Sequence, residues 1–207
     1  MTPDSSPSRP YRGVAPDERR AQRRRRLIEA AVAVYGERGY RQATVKAVCE
    51  AAGLTERYFY ESFANSDELL IAGFNAVTFS VVGEVLAAAQ AAGRSRRERA
   101  RALLGTYFAA LQRDPRSARV FLVEMRGVSR EVDKAFDAAL RDVGRQVARV
   151  VAPPGSQDDE LLQAGVIGGV IHIALRWIEQ GYSPALEEVT ETALRLGMVL
   201  ARASSTP

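Results

Sequence analysis

An all-helical protein is predicted by three features of this sequence. No proline interrupts residues 17–114, so backbone donors run unbroken over a span that helices can use. Alanine, the best helix former, is abundant throughout. Nowhere do Val, Ile and Thr alternate with polar residues at the period of two that a half-buried strand needs. Breaks in the apolar 3.6-residue pattern fall at capping residues, and these divide the chain into nine helices.

The first helix is expected over about 20–38, with Leu27, Ala30, Ala31, Val34 and Tyr35 on one face and Gly39 at its end. Thr44 opens a short second helix that turns Val45, Val48, Cys49 and Ala52 inward before Gly53. Thr55 caps a third that carries Tyr58, Phe59 and Phe63. Asn65-Ser66-Asp67 starts the fourth, reaching about Ala92. Ser95-Arg96-Arg97-Glu98 is a capping box for the fifth. Asp114-Pro115 supplies a cap and a first-turn proline for the sixth. Ser129 caps the seventh, which stops before Pro153-Pro154-Gly155. Ser156, with Asp158 and Asp159 in the first turn, starts the eighth, and Ser183-Pro184 the ninth.

Composition narrows the function. The 207 residues are 46% apolar and 26% charged, too apolar for a disordered chain. The longest uncharged runs, 69–83 and 161–175, are shorter than the roughly 20 residues a bilayer span needs, and no apolar leader opens the chain. A cytoplasmic protein without a membrane segment is expected. One cysteine, Cys49, and one histidine, His172, exclude an internal disulfide, a cysteine metal cluster and a two-histidine metal site. No G-x-S-x-G, H-E-x-x-H or P-loop pattern occurs, so neither an enzyme nor a cofactor is expected.

Charge is uneven. Residues 1–26 hold eight arginines against Asp4, Asp17 and Glu18, while the whole chain carries only +4. Residues 1–18 contain four of the nine prolines and are expected to be a disordered basic tail. Such an arm fits a polyanion partner or a merely solvated tail. The segment that follows is more specific. In 44–63, two short helices flank Ala52-Gly53-Leu54-Thr55, where Gly53 can take positive φ and Leu54 fills the angle between them. That is a helix-turn-helix, whose second helix enters a DNA major groove, although an ordinary helical hairpin uses the same turn.

These residues resemble the TetR family of bacterial transcriptional regulators. The likeness is dense over 27–74: an apolar first helix ending in Tyr35-Gly36-Glu37-Arg38-Gly39-Tyr40, then Ala43-Thr44-Val45, Ala51-Ala52-Gly53-Leu54-Thr55, Phe59-Tyr60, Phe63 and Asp67-Glu68-Leu69-Leu70. Farther on, only the helix count and the Trp177-Ile178-Glu179-Gln180-Gly181 helix ending look familiar. The resemblance implies a three-helix DNA-binding domain over 19–66 and a six-helix ligand-binding and dimerisation domain over 67–207. It implies phosphate contacts from Thr44, Thr55 and Tyr60, base readout by Arg57 flanked by Glu56 and Tyr58, and a backbone contact from Lys46. Ser62 and Ser66 depart from the family pattern where a phosphate-contacting side chain is frequent. The arginine cluster at 23–26, with Arg24 and Arg25 as DNA contacts, is expected to compensate. Cys49 is read as a small buried hydrophobe, with a redox sensor as the alternative.

The eighth helix is apolar almost all round and so needs cover on two sides. Gly165 and Gly169, with Ala193, Gly197 and Ala201 on the ninth, form small-residue stripes suited to a homodimer interface. Ligand-wall candidates are Phe74, Phe79, Tyr107, Phe108, Phe121, Met125, His172 and Trp177, with Glu124 and Arg126 as polar anchors. His172 fits a core, interface or ligand position. The expected partners are a double-stranded, palindromic DNA operator, a second copy of the chain, and a small hydrophobic or amphipathic effector that releases a repressor. An activator, or a DNA-binding helical protein with no effector, is the alternative.

Overall fold

The computed structural model describes residues 16–152 and 159–203, with side chains for 17–152 and 159–198. Nine α-helices and no strand occur among them: α1 Pro16–Arg38, α2 Val45–Ala52, α3 Glu56–Tyr60, α4 Ser66–Ala91, α5 Arg96–Arg113, α6 Pro115–Arg119, α7 Arg130–Val151, α8 Glu160–Glu179 and α9 Leu186–Ala203. A short 3₁₀ turn, Tyr40–Gln42, precedes α2, and a π-helical turn, Val120–Glu124, continues α6.

Most boundaries follow the capping chemistry. Thr44 Oγ1 accepts from the Ala47 N–H at 3.1 Å, Asn65 Oδ1 from Glu68 N–H at 2.9 Å, and Ser129 Oγ from Val132 N–H at 3.3 Å. Both arms of the Ser95–Glu98 capping box form. Four boundaries differ from expectation. The third helix ends at Tyr60, so Phe63 lies beyond it. The first helix starts at Pro16, earlier than about residue 20, with Asp17 and Glu18 in its first turn; acidic groups there suit the exposed N–H donors, and three residues of the expected tail become helix. The eighth helix is capped by Asp159, which accepts from Leu162 N–H, whereas Ser156 and Asp158 lie outside the described residues. The ninth begins at Leu186, two residues after the cis Ser183–Pro184 peptide. The rest of the basic tail, 1–15, also lies outside the described residues.

The helix-turn-helix forms as read. Gly53 sits at φ 61° and ψ 40°, the left-handed region that glycine enters without strain, and its N–H closes the end of α2 on Cys49 and Glu50 carbonyls. Val48, Cys49, Ala52, Phe59 and Phe63 are buried in one apolar cluster with Leu27 and Ala31 of α1. Phe59 and Phe63 meet with centroids 5.9 Å apart.

One connected apolar core then continues to Leu194 of α9. The fourth helix joins the two halves, packing on α1 at its start and along α5 and α7 beyond. The runs 69–83 and 161–175 lie inside helices of 26 and 20 residues, which are long and apolar enough by length and composition to cross a membrane. Within this fold α4 contributes Leu69, Leu70, Phe74 and Val85 to the core, whereas α8 buries only Ile171, Ala174 and Trp177 and leaves one face open to solvent.

The expected ligand wall is partly core instead. Phe74 is fully buried and stacks on Phe121 at 5.7 Å. Phe108 packs edge-on against Trp177, whose indole N–H donates to the Pro184 carbonyl at 2.6 Å. Met125 is also fully enclosed. Phe79 is 84% exposed, and His172 lies on the open face of α8. The helical repeat explains the last case: at about 100° per residue, His172 points roughly 100° away from buried Ile171 and roughly 160° away from buried Ala174.

Candidate nucleic-acid interface and ligand cavity

The end of the molecule formed by α2 and α3 presents the residues the sequence assigned to DNA. Thr55 precedes α3 in an extended conformation and its hydroxyl makes no cap bond, so it is available to a phosphate. Thr44 accepts from its own helix but keeps its hydroxyl proton for a second partner. Tyr60 is 62% exposed, its ring set edge-on against buried Phe59. Lys46 projects outward 4.0 Å from Glu50. Arg57 is exposed, with Nε 3.0 Å from Glu61 Oε1. That contact is worth little in water and holds the guanidinium on the outer face of α3. Glu56 is exposed as well, and Tyr58 is half-buried.

The arginine cluster is divided in its use. Arg23 lies 4.5 Å over the Tyr58 ring and 3.8 Å from Glu61. Arg24 lies 4.5 Å over Phe63. Arg26 donates to the Ala52 carbonyl at the end of α2, and Arg20 donates to the Glu61 carbonyl beyond α3. These four brace the helix-turn-helix through cation–π contacts and carbonyl capping. Arg25 has no such contact among the described residues and faces solvent. Arg23, Arg24 and Arg26 of the expected phosphate-binding block thus each also have a contact within the protein. Cys49 is buried; burial, then the nearby Glu56 charge, pushes its thiol up, which suppresses thiolate chemistry.

A second set of contacts ties this domain to the bundle, and sequence reading missed it. Glu124, in the π-helical turn, accepts from the Tyr40 N–H at 2.7 Å and from Arg119 Nε at 2.7 Å. Arg119 also donates to the Glu37 carbonyl at 3.3 Å, and Arg41 to the Gly127 carbonyl at 2.9 Å. Tyr40 additionally donates its hydroxyl to Asp67 at the start of α4. Glu124 is thus a clamp between halves and not a ligand anchor, and Arg126 lies over the Phe136 ring at 4.9 Å. The only sequence sign of this clamp was a carboxylate in an otherwise apolar stretch, 120–125.

Behind that turn, α4, α5, α7, α8 and α9 enclose a cavity of about 640 Å³, within the size range of small-molecule sites. Its wall is mostly aliphatic, with Val85, Leu104, Val147, Ile167 and Leu194 among the lining groups. Of the expected wall residues only Tyr107 and Phe121 belong to it; Phe74, Phe108, Met125, His172 and Trp177 do not. Ser95, Arg96, Arg97 and Gln163 supply the polar part, and no carboxylate lines it among the described residues. Tyr107 is nine-tenths buried and its hydroxyl lacks a hydrogen-bond partner, as does that of Thr78. Leaving such a group unpaired costs about 1–3 kcal/mol. Burial also pushes the Tyr107 phenol well above its usual range, so it remains a protonated donor.

The expected dimer residues separate by helix face. Gly165 lies on the exposed face of α8, with open space where a side chain would be. Gly169 turns inward: a Cβ there would lie 2.7 Å from Leu196 Cδ2 of the same chain's α9. Ala193 is fully buried, whereas Gly197 is half-buried, lines the cavity and has open space where a side chain would be. The side chain of Ala201 lies outside the described residues. The open face instead carries Leu161, Gly165, Gly168 and His172 at successive turns.

A short recognition helix displayed on a three-helix unit, clamped to a bundle with an internal cavity, defines a helix-turn-helix regulator fold. Residues 27–73 match the family described as bacterial regulatory proteins, tetR family, and the chain has the fold of TetR-family transcriptional regulators, with its helix-turn-helix inside the matched residues. Similar solved structures include the fatty acid degradation regulator FadR from Bacillus halodurans, at 22% identity and TM-score 0.68 over 84% of this chain and 93% of that one. FadR from Bacillus subtilis in complex with stearoyl-CoA aligns at 20% identity and TM-score 0.70 over 86% and 97%. A tetR-family transcriptional regulator from Streptomyces coelicolor aligns at 18% and 0.69 over 89% and 82%. A search of curated protein sequences finds no match.

Proposed function

We propose that this chain is a non-enzymatic, ligand-responsive repressor that binds a palindromic DNA operator as a homodimer. Residues 19–66 read the DNA and 67–207 hold the effector and the dimer contact. Arg57, flanked by Glu56 and Tyr58, reads base edges in the major groove. Thr44, Thr55, Tyr60 and Lys46, with Arg25 and Arg24 from α1, hold phosphates and set the register. The observation that carries the effector part is the aliphatic cavity, one of whose wall residues, Phe121, lies in the same π-helical turn as the Glu124 clamp on Tyr40. A ligand that moves that turn changes how the DNA-binding domain is held. The Bacillus subtilis neighbour was solved with stearoyl-CoA, which supports a hydrophobic or amphipathic effector here.

Dimerisation uses the open face of α8, where Gly165 and Gly168 let a partner's backbone approach closely, with α9 alongside. A two-fold dimer matches one helix-turn-helix per chain to each half of a palindrome. Footprinting of the purified protein on genomic fragments is the test. Protected sites with two-fold symmetry, and binding that weakens steeply with salt, are expected; uniform affinity for all sequences would remove the regulator reading.

A further inference from the structure

Resting on the ligand-responsive reading above, we propose that the effector is a two-ended amphiphile, with an anionic group at Arg96 and an oxygen acceptor held at the far end of the cavity by the Tyr107 hydroxyl. The cavity has a direction. Its mouth combines the first residues of α5, Arg96 and Arg97, with the last of α7, Val151 and Ala152, and with Leu162 and Gln163 at the start of α8. Its inner end combines Tyr107 with Phe121, Leu140 and Ile171. Arg96 and Tyr107 stand eleven residues apart on α5, about 16 Å along the helix axis, the length of an extended chain of roughly twelve carbons. Between Arg97 and Tyr107, α5 offers only Ala100, Leu103 and Leu104 to the cavity.

Each end has its own chemistry. Among the described residues the wall at the mouth holds two guanidiniums and no carboxylate. Glu98 is committed to the Ser95 cap, and Glu191 to Arg97 and Arg101. Arg96 has no ion pair among the described residues. An anion therefore finds an uncompensated positive charge there. At the inner end an alkyl terminus would leave the buried Tyr107 hydroxyl unpartnered with ligand bound, whereas a hydroxyl or carbonyl oxygen satisfies it. Thr78, the second unpartnered hydroxyl, is one turn from Val81 in the wall, on the helix packed against α5.

The experiment measures binding of dodecanoate, 12-hydroxydodecanoate and methyl 12-hydroxydodecanoate to the full chain and to Tyr107→Phe and Arg96→Gln, with operator release recorded alongside. The parent is expected to bind 12-hydroxydodecanoate roughly three- to tenfold more tightly than dodecanoate, the worth of one neutral hydrogen bond. Tyr107→Phe should abolish that gap by weakening only the hydroxylated probe. Arg96→Gln should weaken both acids and spare the ester. Equal binding of the two acids to the parent, a gap that survives Tyr107→Phe, or no binding of any probe overturns the proposal; the parent comparison decides even where a variant fails to fold. Release of operator by both acids equally would leave the ligand-responsive reading standing while removing the role of Tyr107.

Discussion

Glu124→Ala is expected to uncouple the two halves of the molecule. Its carboxylate is 10% exposed and meets the Tyr40 N–H and Arg119 Nε, each at 2.7 Å. The Tyr40 N–H opens the 3₁₀ turn that leads into α2, so it has no partner within its own helix. A hydrogen bond to a charged acceptor contributes about 1.5–3 kcal/mol. Arg119 is 42% exposed, and screening holds its pair to about 1 kcal/mol or less. Truncation should therefore cost about 2–4 kcal/mol, while Glu124→Gln, which keeps an acceptor for Tyr40, should cost about 1 kcal/mol or less. Urea unfolding followed by the fluorescence of Trp177, the single tryptophan, reports on the bundle, and proteolysis within 16–66 reports on the DNA-binding domain. Loss of protection in that domain is expected at lower urea than the Trp177 transition. An Ala variant within about 0.5 kcal/mol of the parent, with coincident transitions, would refute the clamp.

Two further outcomes follow from side-chain placement. Arg57→Ala should lose about 1–3 kcal/mol of discrimination at one base pair per half-site, because a bidentate guanine contact disappears; an unchanged preference across a base-by-base operator series would remove Arg57 from readout. Gly169→Leu should destabilise each chain by about 1–3 kcal/mol through overpacking on Leu196, whereas Gly168→Leu, with open space around it, should leave the fold intact and weaken self-association. Sedimentation and thermal unfolding of both variants test this, and a stable, fully dimeric Gly168→Leu protein would remove that face from the interface.

Local chemistry explains what was readable without coordinates. Caps such as Thr44, Asn65 and the Ser95–Glu98 box act within one turn of chain, so residue identity alone places helix ends. Gly53 marks the turn of the helix-turn-helix for the same reason: one backbone conformation, one residue that tolerates it. The direction of a side chain off a helix is different, because it depends on what lies across from it. Gly165 and Gly169 looked equivalent in sequence, yet one is open and the other meets Leu196, since four residues overshoot a 3.6-residue turn and α9 lies to one side. Arg23 and Arg26 read as a charge block, but α3 offers an aromatic face to the first and α2 a terminal carbonyl to the second. Tyr40 and Glu124 are 84 residues apart, and no local pattern joins them. Helix class, most helix ends and the helix-turn-helix were thus determined by the sequence itself; the clamp, the cavity wall and the open face of α8 were decided only when the helices packed, because each is a property of pairs brought together by the tertiary fold.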